Sequence, residues 1–135
     1  MTSLTCLRSE ERTGAAGPII PAPLLGTWLN TNAASKGITT AILSRQSGSI
    51  TVRIVAAGDP SPHDWGESAA SLFAADASST EAMAFSAFYD FGFMETQLQA
   101  HVRQGVLIIA KFDRFKDSSG RSNYFSKEFF YRVEQ

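Results

Sequence analysis

The stretch Ile38–Ala57, ITTAILSRQSGSITVRIVAA, decides the fold. It holds two runs of β-branched residues with period two: Ile38, Thr40 and Ile42 alternate with Thr39, Ala41 and Leu43, and Ile50, Val52 and Ile54 alternate with Thr51, Arg53 and Val55. Such alternation fits a pleated strand with one buried face, and not a helix, whose apolar residues recur every three or four positions. Between the runs lies Gln46-Ser47-Gly48, where glycine can take the positive φ of a tight antiparallel hairpin. The same pattern continues in both directions. It predicts eight strands, at about Leu24–Thr31, Ile38–Arg45, Ser49–Ala57, Ser68–Ala75, Ala82–Asp90, Phe93–Val102, Val106–Phe115 and Tyr124–Val133. Arg103-Gln104-Gly105 is read as a second three-residue hairpin loop. A helical alternative exists only for the alanine-rich segment Glu67–Ala77.

Eight consecutive strands with short connections most simply close into an antiparallel up-and-down barrel, because closure leaves no edge for another chain to pair with. A two-sheet sandwich is the architectural rival. An eight-stranded barrel has an interior just wide enough for side chains or one small ligand. Residues 1–23, punctuated by Pro18, Pro21 and Pro23, are expected to form an extended tail, with residues 24–135 as a single barrel domain. Pro18-Ile19-Ile20-Pro21 reads either as a lead-in whose isoleucines pack on the domain or as a proline-rich ligand for a groove.

Composition narrows the function. The chain has 135 residues, 44% hydrophobic and 19% charged, with a formal net charge of −1. That balance is expected of one globular domain and offers no positive field to hold a phosphate backbone, so no nucleic-acid partner is expected. No apolar run reaches the ~20 residues of a spanning helix, and the start, MTSLTCLRSEERTG, has neither a basic leader nor an apolar stretch. The expectation is a cytoplasmic protein with no membrane partner. A single cysteine, Cys6, can form neither an internal disulfide nor a thiolate metal site. Asp90-Phe91-Gly92 copies a kinase tripeptide, but the glycine-rich and catalytic-loop motifs are missing from the sequence. No phosphate loop, dinucleotide fingerprint or serine elbow occurs, and no cofactor is expected.

Gly26-Thr27-Trp28-Leu29-Asn30 opens the first expected strand, and Arg132 lies near the end of the last. Here the chain resembles the lipocalin and avidin group of barrels, which open with a Gly-x-Trp element. The resemblance implies that Trp28 plugs the closed end and that Arg132 lies on its face as a cation–π partner. Of the several pocket tryptophans of avidins only Trp65 remains, which argues against biotin. The barrel also resembles the allene-oxide-cyclase type, in which a shaped apolar cavity steers ring closure.

The implied Trp28–Arg132 contact would fix the phase of the last strand. Period two then turns Tyr124, Ser126, Glu128 and Phe130 inward, and Asn30 follows from Trp28. A carboxyl inside a barrel must be paired, protonated or used, so Glu128 either pairs with Arg132 or acts as general acid–base. Glu95 is the reserve carboxyl. It shares one face with Gln97, Gln99 and His101, and a three-residue turn would continue that face through Lys111 and Asp113. The face is either a solvated exterior with ion pairs or an interior with a desolvated Glu95. All ten phenylalanines lie at or after Phe73, and rings on both faces of the fifth and last expected strands point to a homo-oligomer, dimer or larger. Asp59–Glu67 reads as an irregular loop with Trp65 as a lid. Its His63, Asp64 and Glu67 match no metal-ligand spacing, and no metal is expected. Arg121, in the polar loop Lys116–Asn123, could meet an anion.

Together these readings give a cofactor-independent barrel enzyme of secondary metabolism. It would bind a small apolar or aromatic molecule and promote its cyclisation or isomerisation, a ring-closing condensation of an amine with an aldehyde being one such reaction. Glu128, Glu95 and Tyr124 are the candidate catalytic residues, and Asn30, Tyr89, Trp65, Phe130 and Phe112 the candidate substrate contacts. The alternative is a non-catalytic lipocalin-like carrier. A side-chain-filled structural barrel is the third possibility.

Overall fold

A computed structural model describes residues 19–133. Cys6, Pro18 and most of the expected tail lie outside these residues. Strands form nearly everywhere the alternation runs: β1 (Gly26–Asn30), β2 (Ile38–Gln46), β3 (Ser49–Ala56), β4 (His63–Ala69), β5 (Ser71–Ala74), β6 (Ala82–Asp90), β7 (Met94–Arg103), β8 (Val106–Phe115) and β9 (Tyr124–Arg132). No helix occurs among the described residues, so the Glu67–Ala77 alternative is gone. The single antiparallel sheet runs β4-β3-β2-β1-β9-β8-β7-β6-β5. The first and last strands pair through Trp28↔Arg132 and Asn30↔Phe130, which curls the sheet into a nearly closed barrel.

The count is nine strands and not eight. The expected Ser68–Ala75 strand breaks at Ala70 and is preceded by His63–Glu67, a strand where the sequence pattern predicts a loop. β4 pairs with β3 and β5 pairs with β6, so the chain leaves one side of the sheet, turns at Ala70, and joins the other. Across this seam Ser68 Oγ donates to the Phe88 carbonyl at 2.9 Å, and the Tyr89 hydroxyl reaches the carbonyls of Gly66 and Val52 at 2.8 and 3.1 Å. Trp65 is an extra residue in β4: Gly66 lies opposite Ile54 while Asp64 lies opposite Val55, and Gly66 has φ of 81°. This bulge turns the indole onto Tyr89 and Phe91, with ring centroids 5.3 and 5.1 Å away. Trp65 is therefore a strand residue of the seam and not a loop lid.

Both hairpin loops have two residues and not three. Gln46 pairs with Ser49 and Arg103 with Val106, leaving Ser47-Gly48 (φ 50° and 85°) and Gln104-Gly105 (φ 52° and 80°) as turns. Two consecutive positive φ angles match the right-handed twist of the flanking strands. Removing one loop residue slides the β7–β8 register by one and exchanges the faces of β8. Asp113 lies beside Thr96 and Lys111 beside Leu98, so Lys111 and Asp113 point inward, whereas Gln97, Gln99 and His101 point out beside Phe112, Ala110 and Ile108. The expected grouping of Glu95 with Lys111 or Asp113 is thus incorrect.

Burial decides which face is core. Trp28 closes one end at 1% exposure, its Nε1 donating to the Leu24 carbonyl at 3.0 Å. The Arg132 guanidinium lies 4.7 Å from the Trp28 ring and bonds the Pro23 carbonyl. Above this plug Leu43, Ile54, Phe85, Leu98, Leu107 and Phe130 fill the lower barrel. Of the lead-in, Ile19 packs against the core, while Ile20 is largely exposed and bridges to Glu81.

Candidate functional site

The end opposite Trp28 is open and polar. A concavity of about 520 Å³ lies there, bounded by the β1–β2 loop, Lys111, Tyr124, Ser126 and Glu128. Alternation along β9 brings Tyr124, Ser126 and Glu128 to this rim from the same face as Phe130. The half-buried carboxylate of Glu128 takes hydrogen bonds at Oε2 from the Asn30 amide, at 3.0 Å, and from the Ser35 hydroxyl. Among the described ion pairs none involves Glu128, and Arg132 is engaged at the plug instead of pairing with it.

The clamp on Glu128 is built locally. Asn30 also donates to the Ile38 carbonyl at 2.8 Å and accepts from the Asn32 N–H at 2.7 Å, so its side chain is held from two sides. Ser35 Oγ in turn accepts from the Gly37 N–H at 3.0 Å. Gly37 is where the loop backbone passes the carboxylate: a Cβ built there would lie 2.6 Å from Oε1 of Glu128.

Across the mouth stands a pair that the sequence reading placed on the wrong face. Asp113 is fully buried, bonded by the Thr96 hydroxyl and ion-paired with Lys111, whose side chain is 12% exposed. Burying a carboxylate requires such partners. The Lys111 ammonium lies 4.8 Å from the centre of the Tyr124 ring, which presents an ammonium and an aromatic face to the same space. Ser35, Lys111 and Asp113 are the members that sequence reasoning missed. For Lys111 and Asp113 the available signal was the continuation of Leu107 and Ile109 at period two, hidden by the assumed turn length. Ser35 sits in a loop, where no periodicity exists to read.

The remaining candidates lie elsewhere. Phe130 is buried beneath the mouth at 0% exposure. Tyr89 and Trp65 belong to the seam, where burial pushes the Tyr89 hydroxyl up to about 12, with the nearby Asp64 charge adding to it. Glu95 is on the outer face, bonded to Arg114 and 3.6 Å from the Lys116 ammonium. Phe112 is also outside, its ring centroid 5.1 Å from that of Phe125. His63, Asp64 and Glu67 do not converge: Asp64 is bonded by Arg53, which with the Gly66 N–H holds its carboxyl below the usual range, and Glu67 accepts from Gln46 at 2.8 Å. Among the described residues no three metal-ligating side chains come together. Arg121 turns back onto Asp117 and the Phe115 ring.

Fold and site define a nearly closed antiparallel β-barrel with a plugged floor and a polar mouth carrying one carboxylate clamped by neutral donors. Comparison with protein-family models, with curated proteins and with solved structures gave no match.

Proposed function

We propose that the protein is a cofactor-independent barrel enzyme of secondary metabolism that isomerises or cyclises a small molecule seated in the mouth around Glu128. One observation carries this reading: Glu128 is oriented at the open end by Asn30 and Ser35, neutral donors that fix the carboxylate without cancelling its charge. A purely structural carboxylate would be expected to face a cation; Lys111 is committed to Asp113, and Lys36 and Lys127, which line the same concavity, form no ion pair with Glu128 among the described residues. A carboxylate so placed can take a proton from one carbon or nitrogen of a substrate and return it to another, which balances without any oxidant or metal.

The substrate class follows from the walls. The Tyr124 ring, beside the Lys111 ammonium, supports a flat apolar or aromatic group. Lys111 can donate to a developing oxyanion, and because Asp113 holds it in place the donation needs little reorganisation. The guest's polar end therefore meets the rim while its ring lies on Tyr124. Likeness to lipocalin and avidin barrels, through the Trp28–Arg132 plug, supports a ligand-holding role but leaves the carrier alternative standing. The packed lower barrel favours the enzyme: a carrier uses a deep hollow, whereas chemistry needs only a few well-placed groups.

The test is a fragment screen on isotope-labelled protein, followed by analysis of each binder for chemical conversion. Binders that shift the amides of Ser35, Gly37 and Ser126 are expected, at least one being converted by the native protein and bound but left unchanged by Glu128→Gln. Mouth binders that stay intact with the native protein would establish the carrier. Binders confined to other surfaces would remove the mouth as a site.

A further inference from the structure

The outer face of β5–β9 carries a second device that the mouth does not use. Its pairing register arranges outward side chains in rows across the strands. One row runs Phe88, Gln97, Phe112, Phe125; the next runs Ser86, Gln99, Ala110, Lys127; the third runs Phe73, Ala84, His101, Ile108, Phe129. The outer rows are ring-rich, with Phe88, Phe125, Phe73 and Phe129 at 52%, 55%, 51% and 44% exposure. Of the middle row, Ser86, Gln99 and Ala110 line a depression of about 550 Å³, next to one of about 410 Å³ under Phe88, Phe112 and Phe125. This surface is therefore ridged and hollowed, unlike the plain convex wall of a barrel.

We infer that this face is the interface of a homodimer whose two-fold axis runs along the Ser86–Gln99–Ala110–Lys127 row. Three observations select a second copy of the chain. The first is polarity. On β7 the outward residues Glu95, Gln97, Gln99, His101 and Arg103 form a series that is symmetric about Gln99. Rotation about the axis sets Gln97 against His101 and Glu95 against Arg103 of the other copy, so polar meets polar and acid meets base. The second is shape. The same rotation sets Phe112 against Ile108, Phe125 against Phe129, and the Phe88 ring over the small Ala84, which is flanked by Phe73. Self-complementarity of this kind is what an isologous contact requires. The third is extent and charge. Five half-exposed phenylalanines, Phe112 among them, offer roughly 500 Å² of ring surface, and the residues between them bring the face towards the ~800 Å² per partner of a standard interface. Lys127, which the axis sets beside its own counterpart, is the one charged residue of the rows and lies at their β9 end, where it also lines the mouth concavity, while Asp90, Glu95, Arg114 and Arg103 stand at the rim. Charge-depleted centre and polar rim are the anatomy of a protein contact. Sheets packed face to face in this way lie ~10 Å apart.

The mass in solution and one engineered cross-link test the inference together. Light scattering at micromolar concentration is expected to give twice the 14.6 kDa chain mass, and Phe125→Asp, with an unchanged circular dichroism spectrum, is expected to halve it. In a Cys6→Ser background, Gln99→Cys lies on the axis and is expected to be joined to its own counterpart by a short bismaleimide that spans the ~10 Å between the sheets, since a direct disulfide cannot reach that far, whereas Gln97→Cys, displaced from the axis, is not. If Phe125→Asp fails to fold, the cross-linking pair decides alone. A monomeric native protein, a dimer indifferent to folded Phe125→Asp, or an assembly that cross-links through Gln97→Cys but not Gln99→Cys would each overturn the proposal.

Discussion

Glu128 shows how much one position depends on its neighbours. Its inward direction follows from β-strand alternation and the cover that Arg132 gives Trp28 at 4.7 Å, but its availability follows from Asn30 and Ser35, which bond the same oxygen. Gly37 is part of that arrangement because its missing side chain leaves room for Oε1. Gly37→Ala is expected to keep stability within about 1 kcal/mol of the native protein, since the obstacle is the mobile end of a side chain. It should nevertheless displace the carboxylate, loosen its bonds to Asn30 and Ser35, and lower turnover of a converted mouth ligand at least tenfold. Thermal melting and initial rates on the same preparations check both halves. Tyr89 is a residue of the opposite kind. The reading from sequence gave it a place among the substrate contacts, whereas its hydroxyl is taken up by two backbone carbonyls across the seam.

Among the strands the most consequential detail is the length of two turns. The alternation in β7 and β8 was legible, and so were the boundaries of nearly every strand to within two residues, because period two survives even where the loop is misjudged. Which face of β8 looks inward was not legible, since one loop residue more or fewer inverts it. Ser47-Gly48 and Gln104-Gly105 settle this with paired positive φ angles. Glutamine takes φ of 52° at a steric cost that asparagine largely avoids. Gln104→Asn is therefore expected to raise the urea midpoint by the equivalent of about 0.5 kcal/mol. Gly105→Ala is expected to lower it by about 1 kcal/mol, because a Cβ at φ 80° is strained. The sequence of β4 resembles a loop for a different reason. Pro60 and Pro62 announce irregular backbone just before it, and the bulge at Trp65 and Gly66 shifts its alternation out of phase.

For the whole molecule, the barrel is closed by backbone pairing on one side and by side chains on the other. Where β1 meets β9, ladder bonds join the strands. At the β4–β6 seam, Ser68, Tyr89 and the Trp65–Tyr89–Phe91 rings do the joining. Stability at high pH should report on this seam. The Tyr89 hydroxyl ionises at about 12 in the folded protein against 10.0 for an exposed tyrosine. Below about pH 10 both states are protonated and the contribution is complete; above it the unfolded chain ionises first, so stability falls as pH rises towards 12. Tyr89→Phe is expected to cost about 1–2 kcal/mol at neutral pH, with the two carbonyls left to weaker partners, and to be less sensitive than the native protein between pH 10 and 12. Denaturant midpoints measured across that range check the difference. The sequence alone determined the all-β class and the strand alternation, because these rest on local period; the inward phase of β9 needed in addition the Trp28–Arg132 contact, which the structure shows. Only the tertiary structure decided that nine strands form, that Lys111 and Asp113 look inward, and that Phe73, Phe88, Phe112, Phe125 and Phe129 lie in rows on the outside. Each of those depends on the register between paired strands, and a shift of a single residue, nearly invisible in the sequence, exchanges core for surface.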